Sequence, residues 1–93
     1  MVDVKQAVKA AREYLSQLYD TGPLRDIFLE EVELSYDEKH WYVTIGFSRP
    51  IAPKDPILSS IDALSRQSFE RVYKLFEVDS ATGQVRAMKI RAA

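Results

Sequence analysis

The first part of the chain has the pattern of an amphipathic helix. Apolar residues recur at steps of three and four with polar residues on the other side, and the apolar stripe consists of Val4, Ala7, Val8, Ala11, Leu15 and Leu18. Asp3 is a suitable N-cap, and Gln6 completes a capping box. Gly22 followed by Pro23 indicates a left-handed stop. The pattern predicts a helix from about Val4 to Tyr19, close against a sheet because two of its inward residues are alanines.

Two alternating segments after the helix predict a pair of antiparallel strands. The first strand begins near Leu29, and its apolar positions are Phe28, Val32, Leu34 and Tyr36. The second is the most regular strand pattern of the chain, with apolar residues at Trp41, Val43, Ile45 and Phe47. A polar turn, Asp37 to His40, separates the two strands. We expect the apolar residues of the second strand to lie beside Val32, Leu34 and Tyr36, beneath the helix.

The last part of the chain has the pattern of a second β-hairpin. Two runs rich in β-branched and aromatic residues flank the segment Asp79 to Gly83, whose short polar side chains and glycine suit a tight reversal. Before the turn, one face carries Val72, Lys74, Phe76 and Val78, and the other carries Tyr73 and Leu75. Beyond the turn, Val85 is out of phase with the later apolar residues. Either a bulge near Arg86 or Ala87 restores the phase, or the sheet is covered on both faces.

A long connector, residues 49–68, lies between the hairpins. Its prolines, Pro50, Pro53 and Pro56, predict that no central strand lies there. It is also longer than a simple link in so small a domain. Four apolar residues fall on one side of a predicted short helix from about residue 57 to 65, namely Ile57, Leu58, Ile61 and Leu64. Either they cross an edge or end of the sheet and are buried there, or the segment is a binding loop or docking helix.

Together these elements predict an α+β fold. An N-terminal helix packs on a four-stranded antiparallel sheet, in the order α-β-β-(short helix or loop)-β-β. The 93 residues allow one domain, 1–93. With 46% apolar and 29% charged residues, the composition is that of an ordinary globular protein.

Three segments carry a resemblance to a known family. They are the helix from Ala7 to Leu15, the strand from His40 to Ile45, and the stretch from Tyr73 to Val85, in which an aromatic strand is followed by Asp, a turn, Thr-Gly and Val. The pattern resembles the PepSY-like family and, more loosely, the cystatin-like shape of one helix across an antiparallel sheet. The resemblance implies a non-enzymatic module that contacts or restrains a peptidase.

The residue content argues against catalysis. Without cysteine, the chain has no disulfide, thiolate ligand or thiol nucleophile. His40 is the one histidine, and in a polar turn without a nucleophile we expect it to be solvated or to make a cross-strand contact. Glu31 and Glu33 point side by side toward water rather than converging on a cation. No glycine-rich phosphate loop or nucleophile elbow is present. We predict no enzyme activity, no catalytic residue, no cofactor and no metal.

The charge of the chain limits which classes of partner are expected. Thirteen basic and fourteen acidic residues give a net charge of -1, which disfavours nucleic acid as a partner. Two short basic stripes, which we expect to be solvated, consist of Lys5, Lys9 and Arg12 on the helix and Arg86, Lys89 and Arg91 on the last strand. The first residues lack a basic region followed by an apolar run, and no apolar window approaches the ~18 residues that span a bilayer. We therefore expect no membrane association and a cytoplasmic location.

The outward residues suggest how the protein acts. Tyr42, Tyr73 and Leu75 should form an apolar patch on the sheet face opposite the helix, unless the connector covers it. We therefore expect a protein-binding module that contacts a protein partner or a second copy through this patch, the connector residues Ile57, Leu58, Ile61 and Leu64, or a free strand edge. The alternative is a small-ligand-binding protein or small enzyme with its site between helix and sheet.

Overall fold

The computed structural model, which describes residues 1–20, 22–51 and 68–92, confirms the α+β fold. Its elements are α1 (Val4–Leu18), β1 (Arg25–Leu34), β2 (His40–Pro50), β3 (Phe69–Asp79) and β4 (Val85–Arg91). The strands form one antiparallel sheet in the order β1-β2-β3-β4, so that β2 and β3 are central. The helix packs on one face of this sheet, which we call the inner face.

α1 begins with the predicted capping box and ends within one residue of the predicted Tyr19, but without the predicted left-handed stop. The Gln6 backbone N–H donates to Asp3 Oδ1, and the Asp3 backbone N–H donates to Gln6 Oε1, each at 2.8 Å. The helix ends at Leu18 with Tyr19 as an extended C-cap, and Gly22 has no positive φ. The predicted left-handed stop at Gly22 is therefore wrong. Tyr19, in this extended C-cap position, packs against Phe47 with ring centroids 6.1 Å apart.

The core lies between α1 and the two central strands. Every buried apolar residue of the described sheet belongs to β2 or β3, and these residues are Val43, Ile45, Phe47, Phe76 and Val78. Ala7 and Ala11 are fully buried, so α1 approaches the sheet through its alanines, as predicted. Trp41 is half-buried at the end of this layer, where its indole N–H donates to the Val2 carbonyl at 3.1 Å.

β1 differs from its predicted position. It begins at Arg25 rather than near Leu29, and its pairing with β2 shifts register twice, before Phe28 and before Glu31. The shifts place Phe28 on the face opposite α1, where the Arg71 guanidinium lies 5.4 Å from its ring centroid. Tyr36 follows the end of the strand in the turn and is fully exposed. The prediction that Tyr36 lies beneath the helix is therefore wrong.

The β3–β4 hairpin has the predicted turn and bulge. The Asp79 carboxylate accepts hydrogen bonds from the backbone N–H groups of Ala81 and Thr82, at 2.8 and 3.0 Å, and Gly83 has φ 79. Glu77 pairs with Ala87 and Val78 pairs with Val85, so Arg86 is the extra residue of a bulge.

The connector is shorter than predicted, because β2 continues through Pro50, which pairs with Phe69. Ile51 then donates its backbone N–H to the Ser68 carbonyl at 3.0 Å. Hydrogen-bonded pairs alternate along an antiparallel ladder, so the backbone nitrogen of Pro50 points away from β3. On that side β1 reaches only as far as Ser48. The proline therefore costs the sheet no hydrogen bond, and the expectation that Pro50 lies outside a central strand is wrong.

Candidate functional site

The sheet face opposite α1, which we call the outer face, brings together the three predicted contact residues of the hairpins. Tyr73 lies opposite Gly46 and Leu75 lies opposite Thr44, while Tyr42 lies opposite Glu77 on the next position of the same face. Tyr42, Tyr73 and Leu75 are each half-buried. The strand alternation seen in the sequence therefore placed these side chains on the same face.

A long cationic side chain from the edge strand β4 crosses the outer face. The Arg91 guanidinium donates to both Glu31 carboxylate oxygens, at 3.2 and 3.1 Å, and to Thr44 Oγ1 at 2.9 Å. Because Arg91 is on β4 and Glu31 is on β1, this side chain links the two edge strands over the central ones. Thr44 is buried, with 3% exposure, and its hydroxyl accepts the bond from Arg91.

A second arginine organises the other end of the outer face. Arg71 donates to Glu30 Oε1 at 2.6 Å and to the Asp26 carbonyl, and its guanidinium carbon lies 5.9 Å from the Tyr73 ring centroid. Partial burial opposes the charge of Arg71, but hydrogen bonds with Glu30 and Tyr73 outweigh it and raise the pKa of the guanidinium. The contacts with Glu30 and the Asp26 carbonyl thus orient the guanidinium beside the Tyr73 ring.

Two further contacts complete this surface. The Arg25 guanidinium lies 4.5 Å from the centroid of the Phe69 ring. Lys89 donates to Glu77 Oε1 at 2.9 Å, and this hydrogen bond raises the pKa of the Lys89 ammonium group. The outer face thus consists of aromatic rings and arginines whose charges are largely paired with carboxylates of the same sheet.

His40 contacts a side chain of its own strand, β2, rather than a residue across the sheet. It is half-buried, and its ring stacks on Tyr42 with centroids 6.4 Å apart and an angle of 21° between the planes. Within residues 1–20, 22–51 and 68–92, no group of three or more histidines and carboxylates is arranged to hold a metal ion. Glu30 and Glu31 instead bind the arginines of the outer face.

Sequence reasoning missed a groove on the inner face, between α1 and β1. It has a volume of ≈ 420 Å³, and its lining consists of Val4, Lys5, Val8, Lys9, Arg12, Glu13 and Leu29. Val4 and Leu29 are 40% and 39% exposed, so the groove is an open channel rather than an enclosed cavity. The periodic pattern placed Val4 and Val8 on the apolar side of the helix. Periodicity alone does not show which part of that side the sheet leaves uncovered.

The connector residues predicted to bind a partner, Ile57, Leu58, Ile61 and Leu64, lie outside the described residues. Among the described elements, the one helix, α1, is neither long enough nor apolar enough to cross a membrane. Comparison with known proteins finds no matching family model, no matching curated protein and no matching solved structure.

Proposed function

We propose that this protein is a non-enzymatic protein-interaction module that contacts its partner through the outer face. The observation that carries the proposal is the composition and order of that face, where Tyr42, Tyr73 and Leu75 lie among arginines fixed by ion pairs. Tyrosine and arginine are the residue types that most often dominate binding energy at protein interfaces. Side chains that are already fixed lose little conformational entropy on binding, which favours affinity.

The partner is either a different protein or a second copy of this chain. An open sheet face suits both, since a two-fold axis would place the same tyrosines against each other. A narrower form, restraint of a peptidase, is supported by the PepSY-like resemblance alone. It predicts saturable inhibition of a partner peptidase by the intact protein.

Replacing Tyr73 by aspartate tests the outer face. Tyr36→Asp is the matched control, because Tyr36 is fully exposed in the β1–β2 turn and does not belong to this face. Light scattering after size exclusion measures self-association, and cross-linking in an extract of the native cell followed by mass spectrometry measures foreign partners. We expect Tyr73→Asp to lose the dimer mass or the cross-linked partner and Tyr36→Asp to keep it, with unchanged circular dichroism in both variants. Retention of every contact by Tyr73→Asp would exclude the outer face as the binding surface.

The alternative function, a small-ligand site between helix and sheet, has the α1–β1 groove in its favour. Ligand sites of small molecules have volumes in the range of this groove. However, such sites enclose most of their ligand, whereas the two-fifths exposure of Val4 and Leu29 shows a channel open along its side. An open channel is better suited to a row of apolar side chains on the surface of another protein.

A further inference from the structure

The sheet is wider than the helix that covers it. Four strands spaced about 4.8 Å apart give a face roughly 15 to 19 Å wide, whereas one helix covers about 10 Å. Because α1 buries mainly residues of the central strands, the inner faces of both edge strands are only partly covered, with Val32 on β1 and Val85 and Met88 on β4 half-buried against the core. On β4, Ile90 is 82% exposed, and on β1, Leu29 lies in the groove beside the helix. Among residues 1–20, 22–51 and 68–92, the β1 side of α1 therefore has room for a second helix.

The walls of the α1–β1 groove define what kind of helix fits. Val4, Val8 and Leu29 form an apolar floor, and Lys5, Lys9 and Arg12 follow the same side of α1 at helical spacing. Residues four or three apart lie above each other on a helix surface, so these cations form one row along the groove. Glu13 Oε1 lies 3.9 Å from Lys9 Nζ and offsets one of the three positive charges, so the cations and this carboxylate together leave the groove with a net positive charge.

The row of cations argues against a second copy as the occupant. Within the part of the chain that the structure describes, the helix that a second copy would offer is α1, whose corresponding side carries the same three cations. Two such rows facing each other across a groove repel, and like charges brought together at an interface oppose association. Carboxylates on the incoming helix would instead lie beside the row at a spacing that repeats every three or four residues.

We propose that the α1–β1 groove docks an acidic amphipathic helix of a partner protein, laid alongside α1 on the inner face of β1. Its apolar stripe packs on Val4, Val8 and Leu29, and glutamates or aspartates flanking that stripe face Lys5, Lys9 and Arg12. The groove follows α1 from Val4 to Glu13, about 15 Å or nearly three helical turns, which a peptide of about fourteen residues covers. This site is separate from the outer face and does not depend on it.

The probe is a synthetic peptide of about fourteen residues with leucines at the a and d positions of two heptads and glutamates on both flanks. A second peptide of the same design carries lysines instead of the glutamates. Methyl NMR of the full chain, with valine and leucine methyls assigned, reports binding at Val4, Val8 and Leu29. We expect saturable shifts of these methyls with the acidic peptide, weaker at higher salt because the contacts are partly electrostatic. The basic peptide should leave them unchanged.

Two variants locate the site. Leu29→Glu puts a carboxylate in the floor of the groove and should weaken binding of the acidic peptide by about tenfold or more. Ile90→Glu is the matched control, since Ile90 is an exposed apolar residue on the opposite edge strand, and it should leave the affinity unchanged. Absence of methyl shifts at about 1 mM acidic peptide, equal binding of the basic peptide, or equal loss in both variants would each overturn the proposal. Because Tyr73 is not involved, this result is independent of the test of the outer face.

Discussion

At the scale of single residues, two aspartates hold the hairpin turns. Asp37 Oδ1 accepts hydrogen bonds from Ser35 Oγ at 2.6 Å and from the Lys39 backbone N–H at 3.1 Å. Asp79 accepts the two backbone bonds of the β3–β4 turn in the same way. These hydrogen bonds favour the charged form, and they hold the pKa of each carboxyl below its ordinary value of 3.8.

Acid should therefore weaken the fold through these turns. A carboxyl whose pKa is lower in the folded state stabilises fully above the unfolded pKa, and that stability is lost as the pH falls through the folded pKa. We expect the unfolding free energy to decrease below about pH 4. Asp79→Asn keeps an oxygen acceptor but has no titrating group at this position. The unfolding free energy of this variant should therefore fall less as the pH is lowered. Asp79→Ala should already be less stable at pH 7. Urea denaturation as a function of pH checks both, and identical acid profiles of wild type and Asp79→Asn would contradict this role.

At the scale of elements, the bulge in β4 reconciles the turn with the apolar phase of the strand. Val85 lies opposite Val78, and Met88 lies opposite Phe76, on the inner face, with Arg86 inserted between the paired positions. Without an extra residue, a strand of strict alternation would turn Met88 and Ile90 to the outer face.

This interpretation predicts that β4 tolerates the loss of Arg86. Its deletion leaves Val85, Ala87 and Met88 in strict alternation with the same partners on β3, so we expect a change of unfolding free energy within about 1 kcal/mol. Deletion of Lys89 is the control, since it moves Ile90 and Arg91 to the opposite faces and should cost more than about 1 kcal/mol. Urea denaturation measures both variants. If the Arg86 deletion lowers the unfolding free energy more than the Lys89 deletion does, the bulge does not determine which residues of β4 face the core.

At the scale of the whole molecule, Arg91 joins the two edges of the sheet. Its guanidinium reaches Glu31 on β1 and the buried hydroxyl of Thr44 on β2, so the contact closes only when all four strands are in register. The Arg91 and Glu31 side chains are 41% and 49% exposed, so the ion pair by itself contributes little. The hydrogen bond to a buried hydroxyl contributes more, because its loss leaves that group without a partner.

A double-mutant cycle separates these contributions. We expect Arg91→Met to lower the unfolding free energy by about 1 kcal/mol, mainly by leaving the Thr44 hydroxyl unpaired. Thr44→Val removes that hydroxyl, and the double variant should be less destabilised than the sum of the two single variants. Glu31→Gln, which keeps an oxygen acceptor, serves as the control for the ion pair. Strictly additive single effects, measured by denaturation, would show that Arg91 and Thr44 do not act together.

The sequence by itself determined the elements and much of their order on the sheet faces. Local signals were sufficient for the capping box at Asp3, the alternation of β2 and the Asp79–Gly83 turn, and they gave the bulge near Arg86 as one of two alternatives. The reason is that each depends on backbone periodicity or on hydrogen bonds between residues a few positions apart. The gathering of Tyr42, Tyr73 and Leu75 on one face follows from the same alternation once the hairpins pair.

Only the tertiary structure decided which surfaces remain open. The register shifts of β1 put Phe28 on the outer face, and an extended C-cap at Tyr19 stands in place of the left-handed stop expected at Gly22. The reach of Arg91 to Glu31 and the groove above Leu29 depend on residues far apart in the chain. The position of α1 across the four strands depends on how the side chains of all five elements pack together. For that reason, a periodic pattern identifies the apolar side of each element but not the part of it that stays exposed.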